Sequence, residues 1–255
     1  MPNGAAAGLR RVEQIMGTAI SLEIAGTVPD DVAARLADEV YAWMRLVDDT
    51  FSTYKAESEV SRLHTGGLTA SAASQDLRDV LAACADLWKE TDGYFDVYAT
   101  GRLDPSGYVK GWAAQVASDR LVAAGAADHS VNAGGDVRVR GLSPTGEPWR
   151  VGVRHPWDPQ AVCFVLAGTD LGIATSGTYE RGQHVVDPRG GGAASGLRSV
   201  TVTGPDLGRA DAFATAAVAM GVEGLAWLAE LPDGYGSAAV TDDGRFFRSD
   251  NLPEA

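Results

Sequence analysis

Cysteine is scarce in this chain. Cys84 and Cys163 are the two present, each in an apolar context, L-A-A-C-A-D-L and A-V-C-F-V-L. That count excludes a disulfide framework and gives no support to a zinc site, so both are expected as reduced core residues. Basic residues are also short: 21 Lys and Arg face 34 Asp and Glu, a net charge of −13. Such an acidic chain is not expected to bind nucleic acid or an anionic membrane. Any phosphate ligand would then need local cations, a metal or backbone N–H groups. No apolar run reaches the length of a membrane span. The N-terminus, M-P-N-G-A-A-A-G-L-R-R, has no hydrophobic core of a secretory signal, so the expected location is the cytoplasm. Repeats, low-complexity tracts and the G-x-G-x-x-G spacing of a dinucleotide fold are lacking too.

What remains is 255 residues at 45% hydrophobic content, enough for one large or two small domains with a full core. In I-S-L-E-I, from Ile20 to Ile24, apolar and polar residues alternate, which predicts a strand with Met16-Gly17-Thr18 at its start. Pro29-Asp30-Asp31 opens a long helix carrying Val32, Leu36, Val40, Trp43, Met44 and Val47 at roughly helical spacing. Ser58 caps a short helix, and 74–91 forms another. Y-F-D-V-Y (94–98) reads as a short strand in which Asp96, among apolar neighbours, has to be paired, hydrogen-bonded or functional. The Gly/Pro-punctuated turn 101–111 feeds a helix starting near Lys110, a possible anion cradle. Ala133-Gly134-Gly135-Asp136 is a bulge or hairpin turn. Strands are expected at 149–155 and 161–168, separated by a loop whose His155 is structural or exposed. Further strands are expected at the apolar stretch before Thr175-Ser176-Gly177 and at 197–203, 237–241 and 245–248, with a short helix at 222–231. Strands interleaved with helices, several as hairpins, predict α+β with a mixed or mostly antiparallel sheet.

The Ala-rich segment Arg209–Gly221 reads as a helix, which puts Asp211 and Thr215 on one face at i, i+4 in the first turn. Two readings fit this pair: part of a hard-cation site, or an N-terminal Asp with a Thr facing the core. Tyr54, in an irregular stretch, is either a ligand-stacking or a half-buried loop aromatic. His184 and Asp187 flank Val185-Val186 in a polar, Gly-bounded stretch, as structure or as acid–base groups.

Eight short motifs occur in a fixed order. They are M-G-T (16–18), S-T-Y-K-x-x-S-E-V-S-R (52–62), G-Y-F-D-V (93–97) and D-P-S-G-Y-V-K-G (104–111). V-N-A-G-G-D (131–136), A-T-S-G (174–177), H-V-V-D-P (184–188) and A-D-A-F-A-T (210–215) complete the set. Together they resemble the ApbE family of FAD:protein FMN transferases, from about residue 10 to 248. The resemblance implies a T-fold-like α+β domain over 10–248, with 1–9 disordered and 249–255 a loose tail. It implies an active site for FAD with Mg²⁺, placing Met16, Tyr54, Tyr94, Phe95, Asp96, Asp104, Lys110 and Val185 on FAD. The Gly107 carbonyl, Asp211 and Thr215 are implied as metal ligands.

The implied reaction moves FMN from FAD to a Thr or Ser hydroxyl of a target flavoprotein, releasing AMP. His184 is then the candidate proton acceptor and Asp187 its orienting partner. A Mg²⁺-dependent FAD pyrophosphatase and a non-catalytic FAD carrier are the alternatives. The chain departs from the family pattern in three places. Seven residues separate Asp96 from Asp104, fewer than usual; the 104–111 loop lacks the family's Leu, first Gly and Ala; and R-G-G-G follows H-V-V-D-P.

Overall fold

The computed structural model describes residues 8–26, 28–178 and 185–255. Strands β1 (Leu9–Ile15) and β2 (Thr18–Ile24) open it as a hairpin. Its two-residue turn, Met16-Gly17, has both residues at positive φ, 55° and 69°, the backbone twist that matches a tight antiparallel pair. The M-G-T motif therefore turns the chain into the expected strand β2. Leu9 already belongs to β1, so the expected disordered start does not extend to it.

Helix α1 (Asp30–Phe51) buries Leu36, Val40, Trp43, Met44 and Val47 along one stripe, as the spacing predicts. α2 (Glu59–His64) is capped by Ser58, whose Oγ accepts the Ser61 N–H at 3.1 Å. Ser74 caps α3 (Gln75–Glu90) in the same way. The expected strand at 94–98 is instead a run of turns. Asp92 and Gly93 take positive φ, the Asp96 carboxylate accepts the Tyr98 N–H at 2.8 Å, and the Asp104 N–H reaches the Val97 carbonyl at 2.8 Å. A carboxylate that takes a backbone N–H two residues on builds a turn and competes with strand pairing. The short 97–103 segment is thus closed on itself. It is tied outward by Arg102, which donates to the Thr53 carbonyl at 2.6 Å, and by the Leu103 N–H on His64 Nδ1 at 3.3 Å.

α4 (Ser106–Ala123) precedes β3 (His129–Ala133) and β4 (Asp136–Arg140), a hairpin turned by Gly134-Gly135 at positive φ. β5 (Trp149–Arg154) and β6 (Val162–Gly168) form a separate two-stranded sheet. β7 (Asp170–Gly177), β8 (Leu197–Gly204), α5 (Leu207–Met220), α6 (Gly224–Leu228), β9 (Gly236–Thr241) and β10 (Phe246–Arg248) complete the chain. The expected helix at 222–231 is shorter, its first residues forming a 3-10 turn at Gly221–Glu223.

The large sheet has eight strands in the order β1-β2-β3-β4-β7-β8-β9-β10, every neighbouring pair antiparallel. The class is α+β. Alternation along β4 sends its residues to two faces. Asp136 and Arg140 meet α4 through Lys110 and Asp119, while Val137 and Val139 join Trp149, Val153 and Leu166 of the β5–β6 hairpin in a second core on the other face. Segment Leu207–Leu228 is long and apolar enough to cross a membrane, and its α5 part lies buried against β7 and β8. Cys84 is buried as expected, its thiol pushed up to about 12 by desolvation; Cys163 is only half-buried. The tail 249–255 is not loose. Ala167 donates to the Pro253 carbonyl at 2.8 Å, Ala255 to the Val165 carbonyl at 2.9 Å, and Leu252 is buried in the second core.

Candidate active site

A cleft of about 1180 Å³ opens where the starts of α4 and α5 meet the ends of β2, β3, β4 and β7, with β5 and the loop after it as the opposite wall. Asp206 caps α5 by accepting the Arg209 N–H at 3.0 Å, so the helix begins at Leu207. Asp211 therefore sits in the second turn, not the first, and the helix dipole is not what holds it. It is 2% exposed and accepts the Gly111 N–H of α4 at 3.2 Å. One turn further along α5, the Thr215 hydroxyl lies 3.1 Å from that of Ser176 at the end of β7.

The close approach of α4 to α5 depends on two glycines. A Cβ at Gly107 would lie 3.2 Å from Thr215 Oγ1, and one at Gly111 only 2.5 Å from the Leu207 carbonyl oxygen. Glycine, having no side chain, permits this contact. α4 starts at Ser106, so Gly107 is in its first turn and Lys110 in its second. The expected turn feeding a helix near Lys110 is therefore helical already, and the Ser106 N–H is taken by the Asp104 carboxylate at 3.0 Å. The three candidate metal-ligating residues, Gly107 more than a hundred positions before Asp211 and Thr215, come together on facing turns of two helices.

Their charge partner is more elaborate than the sequence implied. Lys110 pairs with Asp136, which is fully buried, and its Nζ lies 3.9 Å from Asp211 Oδ2. Asp136 in turn accepts the Thr175 N–H at 3.3 Å. Burial pushes the Asp211 carboxyl well above the ordinary carboxylate range, the Asp136 charge adds to this, and Lys110 and the Gly111 N–H oppose it. With both carboxylates ionised and the lysine protonated, the cluster is one positive charge short of neutrality. Among the described residues no group of three or more His, Cys, Asp and Glu could hold a metal. The available donors are hard oxygens: a carboxylate, a hydroxyl and a main-chain carbonyl. This set and this charge deficit fit a small divalent cation.

Aromatic rings also line the cleft. Tyr54 lines it and is 93% exposed. Tyr94 lines it with the Arg189 guanidinium 4.4 Å from its ring centroid, and Arg189 also pairs with Asp92 at 2.5 Å. Arg189 thus ties the 187–192 turn to the 92–94 turn. Phe95 packs against Gly107, and Asp96, Asp104 and Val185 also line the cleft. Met16 is half-buried beside it, its neighbours Gly17 and Thr18 forming the lining. Asp187 stands apart: its carboxylate accepts the Arg189 N–H at 2.8 Å and holds the 187–192 turn. His184 lies outside the described residues.

Sequence reasoning did not single out Asp136 or Ser176, although V-N-A-G-G-D and A-T-S-G contained them. It also missed the wall from Val151 to Trp157. His155, left without a partner, accepts the N–H groups of Trp157 and Asp158 on Nδ1 at 3.4 and 3.3 Å and faces the same cleft.

A model of the ApbE family matches residues 16–101 and 98–238 of this chain. The FAD:protein FMN transferase of Salmonella typhimurium is 26% identical over 293 residues, covering 87% of this chain and 83% of that protein. The proteins of that name from Rhodobacter capsulatus and Vibrio cholerae are each 34% identical, over 59% and 48% of this chain. The matched stretch spans only 30% and 39% of their own lengths. Among solved structures, the flavin transferase ApbE from Vibrio cholerae superposes with a TM-score of 0.82 at 24% identity, covering 95% of this chain and 97% of that one. The apo flavinyl transferase ApbE of Pseudomonas stutzeri gives 0.81 at 22% identity over 98% of both chains. The fold is shared across that distance.

Proposed function

The chain belongs to the ApbE family, and from that premise we propose that its cleft transfers FMN from FAD to a Thr or Ser hydroxyl of a target flavoprotein and releases AMP. One observation supports the proposal: Gly107, Asp211 and Thr215 come together beside Lys110 in a cleft that Tyr54 and Tyr94 also line. A molecule that joins a flavin to a pyrophosphate matches that lining.

In this reading the acceptor oxygen forms a bond to the riboflavin-side phosphorus, the bond from that phosphorus to the bridging oxygen breaks, and AMP leaves. Such a transfer depends on alignment and charge neutralisation more than on covalent help. Tyr54 and Tyr94 offer faces to the isoalloxazine, with Met16, Phe95, Asp96 and Val185 around it. Lys110, held by Asp136, supplies positive charge to the phosphates, and Asp104 fixes the helix start that presents Gly107. The Asp211 carboxylate, the Thr215 hydroxyl and the Gly107 carbonyl would hold Mg²⁺, which when bound supplies charge stabilisation for the pyrophosphate and the departing AMP. His184 is the proposed acceptor of the hydroxyl proton, and Asp187 shapes the turn that follows it.

The test is intact-protein mass spectrometry of an apo-flavoprotein acceptor after incubation with the enzyme, FAD and Mg²⁺. A mass gain equal to one FMN less one water is expected. Free FMN and AMP without an adduct would make the protein a pyrophosphatase. Intact FAD would make it a carrier.

A further inference from the structure

The reaction proposed above needs two reactants in one cleft, and at about 1180 Å³ this cleft exceeds the roughly 1,000 Å³ that usually bounds a site for one small molecule. Its far wall is β5. Val151, Gly152, Val153 and Arg154 all line it, although consecutive residues of a strand point to opposite faces. Neighbours of both parities can share a cavity only when the strand presents its edge.

Hydrogen bonding shows which main-chain groups that edge carries. Ala167 donates to the Pro253 carbonyl and Ala255 to the Val165 carbonyl, so residues 165 and 167 of β6 direct their main chain towards the tail, away from β5. The groups of β6 that face β5 are then those of Phe164, Leu166 and Gly168, opposite Val153, Val151 and Trp149. Because inward and outward residues alternate, Arg150 and Gly152 turn both N–H and C=O outward, and Gly152 of the two lines the cleft. Among the described residues no strand but β6 pairs with β5. Exposed arginines, Arg150 and Arg154, flank Gly152, a charged border of the kind that keeps a free edge from pairing with copies of itself.

We propose that this edge of β5 takes the acceptor polypeptide as an added strand, main chain to main chain at Gly152 and Arg150, and so lays its hydroxyl residue along the cleft. This rests on the transferase reading and names how its second substrate is held. In such strand addition main-chain hydrogen bonds give affinity and pockets for alternate side chains give specificity, so short extended peptides should serve as acceptors.

Gly152→Pro is the diagnostic substitution. Proline removes an outward N–H and leaves the ladder to β6 untouched, and edge strands tolerate it. Gly152 is not at positive φ, and its added Cβ would meet only the Val162 methyls, at 3.3 and 3.4 Å. Gly152→Ala is the control, adding that Cβ while keeping the N–H. The probe is a pooled library of twelve-residue random peptides with one central Thr, scored for FMN attachment by mass spectrometry, with FAD binding followed by flavin fluorescence.

Wild type and Gly152→Ala should label peptides alike. Gly152→Pro should bind FAD as wild type does, yet label at a rate about tenfold lower at subsaturating peptide, the worth of one main-chain hydrogen bond. Wild-type labelling by Gly152→Pro would overturn the proposal. So would loss of its FAD binding, which would give the edge to the flavin. A wild-type enzyme that flavinylates an apo-flavoprotein but no peptide would also overturn it. A wild-type enzyme that modifies neither would instead overturn the transferase reading.

Discussion

Gly111→Ala should damage both stability and turnover, against the usual direction of a helical glycine substitution. Alanine in a helix interior normally gains about 1 kcal/mol over glycine. At Gly111 the new Cβ would sit 2.5 Å from the Leu207 carbonyl oxygen and 3.0 Å from both the Leu207 carbonyl carbon and Asp211 Cβ. Ordinary contact needs about 3.5 Å or more, and main chain cannot swing aside as a side-chain tip can. α4 and α5 must part by roughly 1 Å, an overpacking strain of about 1–3 kcal/mol. Net destabilisation should be up to about 2 kcal/mol after the propensity gain is subtracted. The same displacement moves Gly107 away from Thr215, and a misplacement of about 1 Å in an aligned site can cost about 10²-fold in rate. Urea unfolding and steady-state FAD turnover measure the two effects. Gly67→Ala serves as the reference, since its Cβ would meet nothing nearer than 3.6 Å. A Gly111→Ala enzyme as stable as wild type, with turnover within about twofold, would refute the helix-contact account.

Three further outcomes follow from the site and the core. Asp211→Ala should lower Mg²⁺-dependent turnover by on the order of 10²–10³-fold and weaken FAD binding less; full activity at ordinary Mg²⁺ would remove Asp211 from the metal. His184→Ala should slow transfer by about 10²–10⁴-fold at unchanged FAD affinity, and an unchanged rate would exclude it as the proton acceptor. His129 is fully buried and is held neutral. Desolvation lowers its pKa from 6.5 to about 4, with Nδ1 and Nε2 each 2.7 Å from the Ala126 carbonyl and the Ser118 hydroxyl. The unfolded chain therefore takes up this proton first, so the stability His129 contributes is complete above about pH 6.5 and is lost as pH falls to about 4, up to about 3 kcal/mol. His129→Gln should flatten that part of the urea-measured pH profile, and an identical acid slope in both proteins would contradict the assignment.

Local rules made much of this fold readable. The apolar stripe of α1, the Ser58 cap, the alternation in β2 and the glycine pair between β3 and β4 are each decided within a few residues. Failures arose where short-range signals compete. D-P-S-G looks like a turn, yet Asp104 bonds the N–H at the start of α4 and the helix begins at Ser106. The helix read from Arg209 begins two residues earlier, at Leu207, because Asp206 caps it. Y-F-D-V-Y has the composition of a strand, but Asp96 spends its carboxylate on a turn. Asp136 could not be assigned from its neighbours because its partners, Lys110 and Thr175, reach it through tertiary packing. The same holds for the β5 wall and for the tail, whose hydrogen bonds are made to β6.

The family motifs named the candidate ligands, and the packing gives a physical reason for their spacing. Glycines on one helix face let α4 approach α5 closely enough for a main-chain carbonyl, a carboxylate and a hydroxyl to share one small volume. Asp136 then fixes Lys110 beside them. The central claim is that this volume, loaded with a divalent cation, drives transfer and not merely binding. The most direct measurement quantifies AMP and protein-bound FMN from the same reaction, with FAD and an apo-flavoprotein acceptor, in Mg²⁺ and in chelator. Equal amounts of the two products in Mg²⁺, and neither in chelator, are expected. AMP without protein-bound FMN, or both products at full rate in chelator, would contradict the account.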